Sequence, residues 1–384
     1  MNLELKLSIK NLLGAKLRTL LNVLVLSISF VVIILLNSIM DGWDAQAKKD
    51  SIEWEFGKGQ LLHNQYDPND FFSILDGHGQ IPENDIGLTP VFVHQATIYP
   101  QNRMMNTILK GADPNQKTTL LPTHKLLESK ALLPAIIGKR MAEATNLKIG
   151  DELLVRWRDK NGAFDAAKIT IVDVFNSNVP AIDLGQIWIS IETLWSITGH
   201  KNEATLFIAS DSFVNTNLDS WKFTSQKELL QNITDLVSQK KTGQSIVYLL
   251  LMGIALLAIF DTQVLSIYRR QKEIGTYIAL GMTRLRVVRL FTLEGSIYSF
   301  LALILGGLYG SPLFYLLSKF GFPVPPADQK MGLALAETII PVYSFKLVLG
   351  TVLLVLISAT IVSYLPARKI AKLNPALALK GKQQ

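Results

Sequence analysis

The residues that could do catalytic or metal chemistry in this sequence lack the spacings that such chemistry needs. The chain has no cysteine and five histidines, and no histidine has a second histidine four residues away. No G-x-x-x-x-G-K-[ST] loop and no G-x-S-x-G turn occurs, which argues against a phosphate-binding loop or a serine nucleophile of those types. The sequence therefore predicts no catalytic residue, no metal site and no bound cofactor. The histidines are expected to be ordinary surface or core residues: His63, His78, His94, His124 and His200.

The chemistry that the sequence does offer is charge recognition, in the segment from Tyr268 to Gly295. Six basic residues lie here between two apolar stretches: Arg269, Arg270, Lys272, Arg284, Arg286 and Arg289. An apolar motif, Ile274-Gly275 followed by Ile278 to Gly281, stands in their middle. Ordered apolar residues inside a basic loop favour an element that docks on another protein. The alternative is a solvated basic loop.

Two acids of this segment have two interpretations each. Glu273 pairs either with an arginine of a partner or with a neighbour on its own helix, a common and weak contact. Glu294 lies near the end of an apolar span, as does Asp261. For Glu294 and Asp261, a buried contact between spans and simple access to headgroup water are both open interpretations.

The elements that must position this loop are membrane spans. Hydrophobic residues make up 49% of the 384 residues, and the mean hydropathy is +0.27. The net charge is +7, yet residues 41–244 hold 20 basic and 25 acidic residues. The basicity therefore belongs to the segments that flank the apolar spans, which indicates membrane topology and not nucleic-acid binding.

Four spans are predicted, each about long enough to cross a hydrocarbon core of ~30 Å. They are residues 20–40, 246–267, 290–317 and 345–365. Residues 1–19 have the pattern of an interfacial amphipathic helix. A cleaved signal peptide is the alternative for the first span, but its apolar region is usually only about 7–15 residues, so an uncleaved anchor is favoured.

The basic residues also predict the orientation. Segments 1–19, 268–289 and 366–384 carry fifteen Lys and Arg residues, against two in the loop 318–343. The positive-inside bias then places both termini and the loop 268–289 in the cytoplasm. The predicted fold is an α-helical membrane protein with four transmembrane helices and a large α+β extracytoplasmic domain, residues 41–244, inserted between helices 1 and 2.

Strands and helices of this domain are predicted from β-branched and aromatic runs between turn residues. The predicted strands are 59–63, 91–99, 107–111, 152–158, 168–175, 186–190 and 205–209, and the predicted helices are 68–75, 138–145 and 191–197. Residues 152–158 and 168–175 are expected to form a hairpin across an Asn-Gly turn.

Glycines predict how the spans pack and transmit motion. Gly306 and Gly310 have the small-xxx-small spacing of closely packed helices in lipid. A helix that begins with a capping box at Ser225 is expected to continue into the second span as a rod of about 65 Å. Gly243 is its predicted joint, because glycine in a helix costs roughly 1 kcal/mol relative to alanine.

The amino-acid sequence of this loop resembles the signature of the FtsX/MacB-type ABC transporter permeases. In that family an R-x-x-E-I-G run and an A-L-G triplet form the coupling helix that docks on an ATPase, and a Glu-Gly pair opens the third span. The matching residues are Arg270, Glu273, Ile274, Gly275, Ala279, Leu280, Gly281, Glu294 and Gly295. The ending from Pro366 to Leu379 resembles the family's P-x-R-x-A-x-x-x-P-x-x-A-L close.

Within the family the chain is most similar to the lipoprotein-releasing permeases. Residues 137–151 resemble their i-G-x-x-L-A … v-G-D stretch, and residues 110–114 resemble their G-x-x-P turn. The loop 159–168 stands where one member of such a pair carries a proline-bearing hook for a periplasmic carrier, and it has no proline here.

The resemblance implies a transport permease of the bacterial inner membrane that is not itself an enzyme. Two copies of an ABC ATPase subunit, which bind the ATP and Mg, a second permease chain, and a lipoprotein or another amphiphile are the implied partners, with a periplasmic carrier left open. Three rival functions remain: a MacB-like efflux permease for peptides or antibiotics, an FtsX-like regulator of cell-wall hydrolases, and a signalling receptor with an outer sensor.

Overall fold

The computed structural model describes residue 8 and residues 16–82, 87–214, 218–325, 336 and 338–372. The chain forms two compact units. The helical unit comprises Met1–Trp43, Val237–Phe322 and Ile340–Gln384, and the α+β unit comprises Asp44–Leu236 and Pro323–Ile339. The predicted amphipathic helix 1–19 and the tail 366–384 fall largely outside the described residues.

The helices of the described residues are α1 (Lys16–Ser51), α2 (Lys125–Glu128), α3 (Lys139–Thr145), α4 (Pro180–Asp183), α5 (Ile191–Thr198), α6 (Gln226–Leu229), α7 (Gln231–Arg269), α8 (Gln271–Ala279), α9 (Arg284–Phe320) and α10 (Phe345–Ala367). A π-helical turn, Ile52–Phe56, follows α1. Short 3-10 turns cover Phe71–Ile74, Pro100–Asn102 and Arg368–Lys372.

Four of these helices are long and apolar enough to cross a membrane, judged by length and composition within the described residues. They are α1, α7, α9 and α10. The predicted spans 20–40, 246–267, 290–317 and 345–365 each fall inside one of them. Their placement in a bilayer stays a prediction.

The helical unit has its own apolar core. Buried side chains from the four long helices meet in it, among them Leu26, Ile34, Ile259, Tyr298, Ala302, Val355 and Ala359. Other large apolar side chains stay exposed along α7, among them Ile246, Leu249, Leu250, Ile254 and Leu257. A row of exposed apolar side chains along a helix is typical of an interaction surface or a lipid-facing surface.

The strands of the described residues are β1 (Gly59–His63), β2 (Gly79–Gln80), β3 (Leu88–Ile98), β4 (Met105–Ala112), β5 (Pro134–Gly138), β6 (Glu152–Arg158), β7 (Phe164–Phe175), β8 (Gln186–Ser190), β9 (Glu203–Ala204), β10 (Leu206–Ala209), β11 (Trp221–Ser225), β12 (Phe322–Pro323) and β13 (Thr338–Ile339).

A nine-stranded sheet organises the described part of the α+β unit. Its order is β11-β1-β10-β3-β4-β8-β5-β7-β6, and β3 also pairs with β6. That last pairing closes six strands into a ring, so side chains that alternate along each strand point into a common interior. On β6 these are Leu153, Val155 and Trp157, each at most 3% exposed. The predicted α+β class is confirmed for this unit.

Several predicted elements are confirmed. Strands β1, β6 and β8 have the predicted bounds, and β6 and β7 form the predicted hairpin, with Arg158 opposite Phe164. The predicted helix 68–75 is wrong: only the 3-10 turn Phe71–Ile74 forms, capped by Asp70, whose side chain accepts from Phe72 N. Strand β5 was not predicted, because it begins with Pro134 and ends with Gly138, two residue types that usually mark turns.

The helix predicted to run unbroken from Ser225 has an interruption. The capping box of Ser225 and Glu228 is present, and α6 ends after one turn at Leu230, whose φ of −83° and ψ of −4° stay in the right-handed helical region. Leu230 N donates to the carbonyl of Gln226 at 3.1 Å, and Thr234 N donates to the carbonyl of Leu230 at 3.0 Å, so the interruption is confined to one residue. The long helix α7 then runs for 39 residues from Gln231 to Arg269, about 58 Å at 1.5 Å per residue.

Candidate functional site

Three helices of the helical unit position the basic loop, which we define as residues 268–289. Helix α7 ends at Arg269, α8 occupies Gln271–Ala279, and α9 begins at Arg284. Thr283 caps α9 by accepting a hydrogen bond from Arg286 N at 3.4 Å. The loop is therefore an ordered helix with a defined beginning and end.

Gly281 ends α8. Its φ of +93° lies in the left-handed region, which glycine adopts without the steric penalty of a Cβ atom. The N–H of Met282 donates to the carbonyl of Tyr277 at 3.0 Å, and the N–H of Gly281 donates to Ile278 at 3.1 Å. This is the pattern of a glycine helix stop. The glycine of the A-L-G triplet thus fixes where the chain turns towards α9.

Arg270 joins the loop to α9. Its Nε donates to Glu273 Oε2 at 2.7 Å and its Nη1 donates to Glu294 Oε2 at 3.1 Å. The guanidinium also lies 5.0 Å from the ring centroid of Phe291. Burial by itself lowers the pKa of the Arg270 guanidinium, but its hydrogen bond to Glu273 and the charge of Glu294 raise it above its usual range.

The two carboxylates that contact Arg270 differ in burial. The side chain of Glu294 is 5% exposed, whereas that of Glu273 is 55% exposed. The ion pair with Glu294 is consequently shielded from solvent, whereas solvent weakens the ion pair with Glu273. In this structure Glu294 makes the buried contact and Glu273 makes the local one, while Asp261 is exposed.

The buried face of α8 packs against α9 and the end of α10. Ile274 is fully buried, and Gly275 beside it is buried. Ile274 belongs to an apolar cluster with Ile267, Val287, Val288, Leu290, Phe291, Ala367 and Ile370. The sequence motif contained Ile274, but Phe291 and Ile370 were missed, because their role depends on helices brought together by the fold.

The opposite face of the loop is open. Of the predicted docking residues, Glu273, Ala279, Leu280 and Gly281 are exposed, and Leu280 is 81% exposed. Exposed basic side chains surround them: Arg269, Lys272, Arg284, Arg286 and Arg289. The predicted docking residues thus fall into two groups. Arg270, Ile274 and Gly275 fasten the helix, and the other four present a surface.

The predicted packing glycines contact other helices of the unit. An added Cβ on Gly306 would lie 3.3 Å from Phe30, and one on Gly310 would lie 3.1 Å from Val31, both on α1. A Cβ on Gly295 would collide with Ser363 of α10. Gly243, the predicted joint, is exposed on α7 and has no heavy atom within 4 Å of an added Cβ.

The α+β unit holds a cavity of about 300 Å³. Its lining includes the aromatic rings of Trp54 and Trp188, and the ammonium of Lys110 lies 5.0 Å from the Trp188 ring centroid. Lys110 is 8% exposed and makes no hydrogen bond or ion pair among the described residues. Burial lowers the pKa of Lys110, and the charge of Glu55 opposes that shift. A desolvated ammonium without a direct anionic partner is energetically costly.

One group of side chains in the α+β unit has the ligand types of a metal site. His78, His200 and Glu203 place one ligand atom each within 4.8 Å of one another. His200 and Glu203 are three residues apart, but His78 comes from a distant part of the sequence, so local spacing alone does not signal the grouping.

Comparison with known proteins identifies the helical unit. Residues 245–375, which include the basic loop, match the family described as FtsX-like permease C-terminal. These residues form an FtsX-like permease domain. The buried ion pair of Arg270 with Glu294 lies within this domain and joins the basic loop to α9.

Three relatives extend the match. An uncharacterized ABC transporter permease of Methanocaldococcus jannaschii is 33% identical over 123 residues, 32% of this chain and 28% of that relative. The lipoprotein-releasing system transmembrane protein LolC of Xylella fastidiosa is 22% identical over 324 residues, 75% of this chain and 76% of LolC. The macrolide export ATP-binding/permease protein MacB of Wolinella succinogenes is 25% identical over 157 residues, 39% of this chain and 22% of MacB.

Among solved structures, the periplasmic region of MacB from Actinobacillus actinomycetemcomitans is similar over 47% of this chain and 94% of that structure. The sequence identity is 12% and the TM-score is 0.29.

Proposed function

We propose that this permease works with separate ATPase subunits and releases a lipoprotein or another amphiphile from the inner membrane of a bacterium. The observation that carries the proposal is the alignment with LolC, which covers 75% of this chain and 76% of LolC. It extends far beyond residues 245–375 and therefore includes much of the α+β unit as well as the helices.

The proposed topology puts both termini and the basic loop in the cytoplasm and the α+β unit outside. Its support is the excess of Lys and Arg in the segments predicted to be cytoplasmic. An ATPase in the cytoplasm then meets the basic loop, and an amphiphile in the outer leaflet meets the α+β unit. Two ATPase copies require two permease chains, so a homodimer or heterodimer is part of the proposal.

The open face of the loop supports ATPase docking there. Leu280 and Leu285 are 81% and 68% exposed, and exposed apolar groups among cations suit a partner surface with an apolar pocket and acidic rim. The chain itself contains no phosphate-binding loop motif, so ATP binding in this proposal belongs to the partner.

The buried face of the loop supports a path for motion. A displacement of α8 reaches α9 through two contacts, the Arg270–Glu294 pair and the packing of Ile274 in the cluster that includes Phe291. It also reaches α7, because Ile267 belongs to the same cluster. Helix α7 is the proposed lever, with Gly243 as its joint.

The test uses Leu280→Glu in the full-length protein, co-expressed with a candidate ABC ATPase subunit of the same organism. We expect the variant to lose copurification with the ATPase and to lose stimulated ATP turnover, because a carboxylate replaces an apolar anchor. Leu132→Glu is the matched control, since Leu132 is 93% exposed in the α+β unit. Normal copurification and turnover in Leu280→Glu would refute docking on this surface.

The substrate is tested separately in proteoliposomes that contain the complex, with ATP supplied. We expect a lipoprotein to be released into a soluble acceptor, while a macrolide antibiotic is not moved. The alignment with MacB favours efflux as the second candidate function, although it covers only 22% of MacB. Transport of the macrolide without lipoprotein release would favour that candidate and reject ours.

A further inference from the structure

The group of His78, His200 and Glu203 is built around one carboxylate oxygen. Glu203 Oε2 lies 2.7 Å from His78 Nδ1 and 2.9 Å from His200 Nδ1. The two imidazole rings are nearly perpendicular, at 77°, with centroids 4.7 Å apart. The three side chains are 20%, 11% and 19% exposed. Three potential ligands thus converge at a largely shielded point.

A second layer of contacts holds these side chains in place. The other ring nitrogen of His78 is 3.1 Å from the carbonyl of Leu75. The other oxygen of Glu203 accepts from Gln80 Nε2 at 3.2 Å. Contacts of this kind, a carbonyl on the free nitrogen of a histidine and a donor on the free oxygen of a carboxylate, are typical of metal sites.

The backbone fixes the same arrangement. Strand β2 pairs with β9, and Gln80 stands opposite Glu203. Trp195 Nε1 donates to the backbone carbonyl of Glu203 at 2.8 Å. Since His78 immediately precedes β2 and His200 lies three residues before Glu203, this short pairing sets the positions of all three side chains.

The hydrogen-bond geometry of His78 is compatible with a metal ligand. Both nitrogens of His78 face oxygen acceptors, the carbonyl of Leu75 and the carboxylate of Glu203. A neutral imidazole has only one N–H. If Nε2 donates to Leu75, the lone pair of Nδ1 faces the lone pairs of Glu203. A metal ion between the two atoms would accept both lone pairs.

The site is accessible from solvent. A groove of about 880 Å³ is lined by His78 and His200, together with Arg156 and Lys160. It supplies an entry path for an ion. With three protein ligands, a tetrahedral ion keeps its fourth position open, and the cationic side chains of the groove favour water, hydroxide or another anion there.

We propose that His78, His200 and Glu203 bind one divalent transition-metal ion of the Zn²⁺ class. Two imidazoles and a carboxylate are ligands that this class prefers over Mg²⁺ or Ca²⁺. Metal–ligand distances of about 2.0–2.2 Å place tetrahedral ligand atoms roughly 3.3–3.5 Å apart. The present contacts therefore open by about half an ångström on binding, which rotation of the Glu203 carboxylate can provide. The proposal is independent of the transport substrate.

The test is Zn²⁺ titration of the full-length protein in detergent, after chelator treatment, in competition with a chromogenic chelator. We expect one Zn²⁺ per chain, and no comparable binding of Mg²⁺ or Ca²⁺. His200→Gln and Glu203→Gln should each weaken the affinity by at least about 100-fold, and Gln80→Leu by about 10–100-fold. His124→Gln is the matched control, because His124 is exposed and stands apart from the site.

Cobalt substitution provides a second readout, because the Co²⁺ spectrum reports the ligand geometry of the wild type directly. Co²⁺ should give the visible absorption bands of a tetrahedral ion in the wild type and in His124→Gln, and these bands should be lost in His78→Gln. Absence of stoichiometric Zn²⁺ binding by the wild type would overturn the proposal. So would an unchanged affinity in His200→Gln and Glu203→Gln, or a Co²⁺ spectrum that survives in His78→Gln.

Discussion

Arg270→Met is the change that tests the buried contact of the basic loop most sharply. Methionine keeps an apolar side chain over Phe291 but removes the charge that faces Glu294, whose side chain is 5% exposed. Removing one partner of a buried ion pair costs about 3–5 kcal/mol. The pair with Glu273 contributes only about 0–1 kcal/mol, because Glu273 is 55% exposed.

The assay is amide hydrogen exchange, followed by mass spectrometry on the protein in nanodiscs. Since 1.4 kcal/mol is a factor of ten, local opening of α8 should become roughly a hundredfold to several thousandfold more frequent in Arg270→Met. Glu273→Ala is the matched control and should change exchange about fivefold or less. The double variant Arg270→Met with Glu294→Met should recover much of the protection, because an apolar pair replaces the ion pair.

Two results would refute this reasoning. One is protection of residues 271–279 in Arg270→Met equal to that of the wild type. The other is an equal loss in Glu273→Ala, which would mean that the exposed pair and not the buried one fastens α8.

Three further predictions follow from the helices and the cavity. Ser245→Pro should kink α7 at a cost of ~3 kcal/mol or more and abolish substrate release while ATP hydrolysis persists, whereas Gly243→Ala should keep both activities; normal release by Ser245→Pro would exclude α7 as the lever. Lys110→Met should raise the melting temperature at neutral pH, because its free energy of unfolding should exceed that of the wild type by about 1–3 kcal/mol. Because the pKa of Lys110 is lowered by burial, wild-type stability should rise as pH increases from the folded pKa towards the unfolded value, and Lys110→Met should lack that rise. Gly295→Ala should destabilise the helical unit, seen as a lower melting temperature, and Gly307→Ala, on the same helix with open space around it, should not.

The loop was predictable from sequence to the extent that its chemistry is local. Gly281 ends a helix through its own φ of +93°, and the capping box of Ser225 with Glu228 spans only three residues. Such features depend on neighbouring residues, so residue types and spacing are enough to find them.

Contacts between distant segments could not be derived in this way. Glu294 was open to two interpretations, and only the return of α9 beside Arg270 distinguishes them in the structure. The grouping of His78 with His200 depends on a two-residue strand pairing, which has no recognisable sequence pattern. The one-residue division between α6 and α7 at Leu230 likewise has no glycine or proline to signal it.

The central claim is that an ATPase docks on the exposed face of the basic loop, and the absence of cysteine from the chain allows a direct measurement. Leu280→Cys introduces a single thiol, which can carry a photoactivatable cross-linker in a membrane preparation of the complex. We expect a cross-link to the ATPase from position 280 and none from Leu132→Cys. A cross-link from position 132 with none from position 280 would contradict the claim.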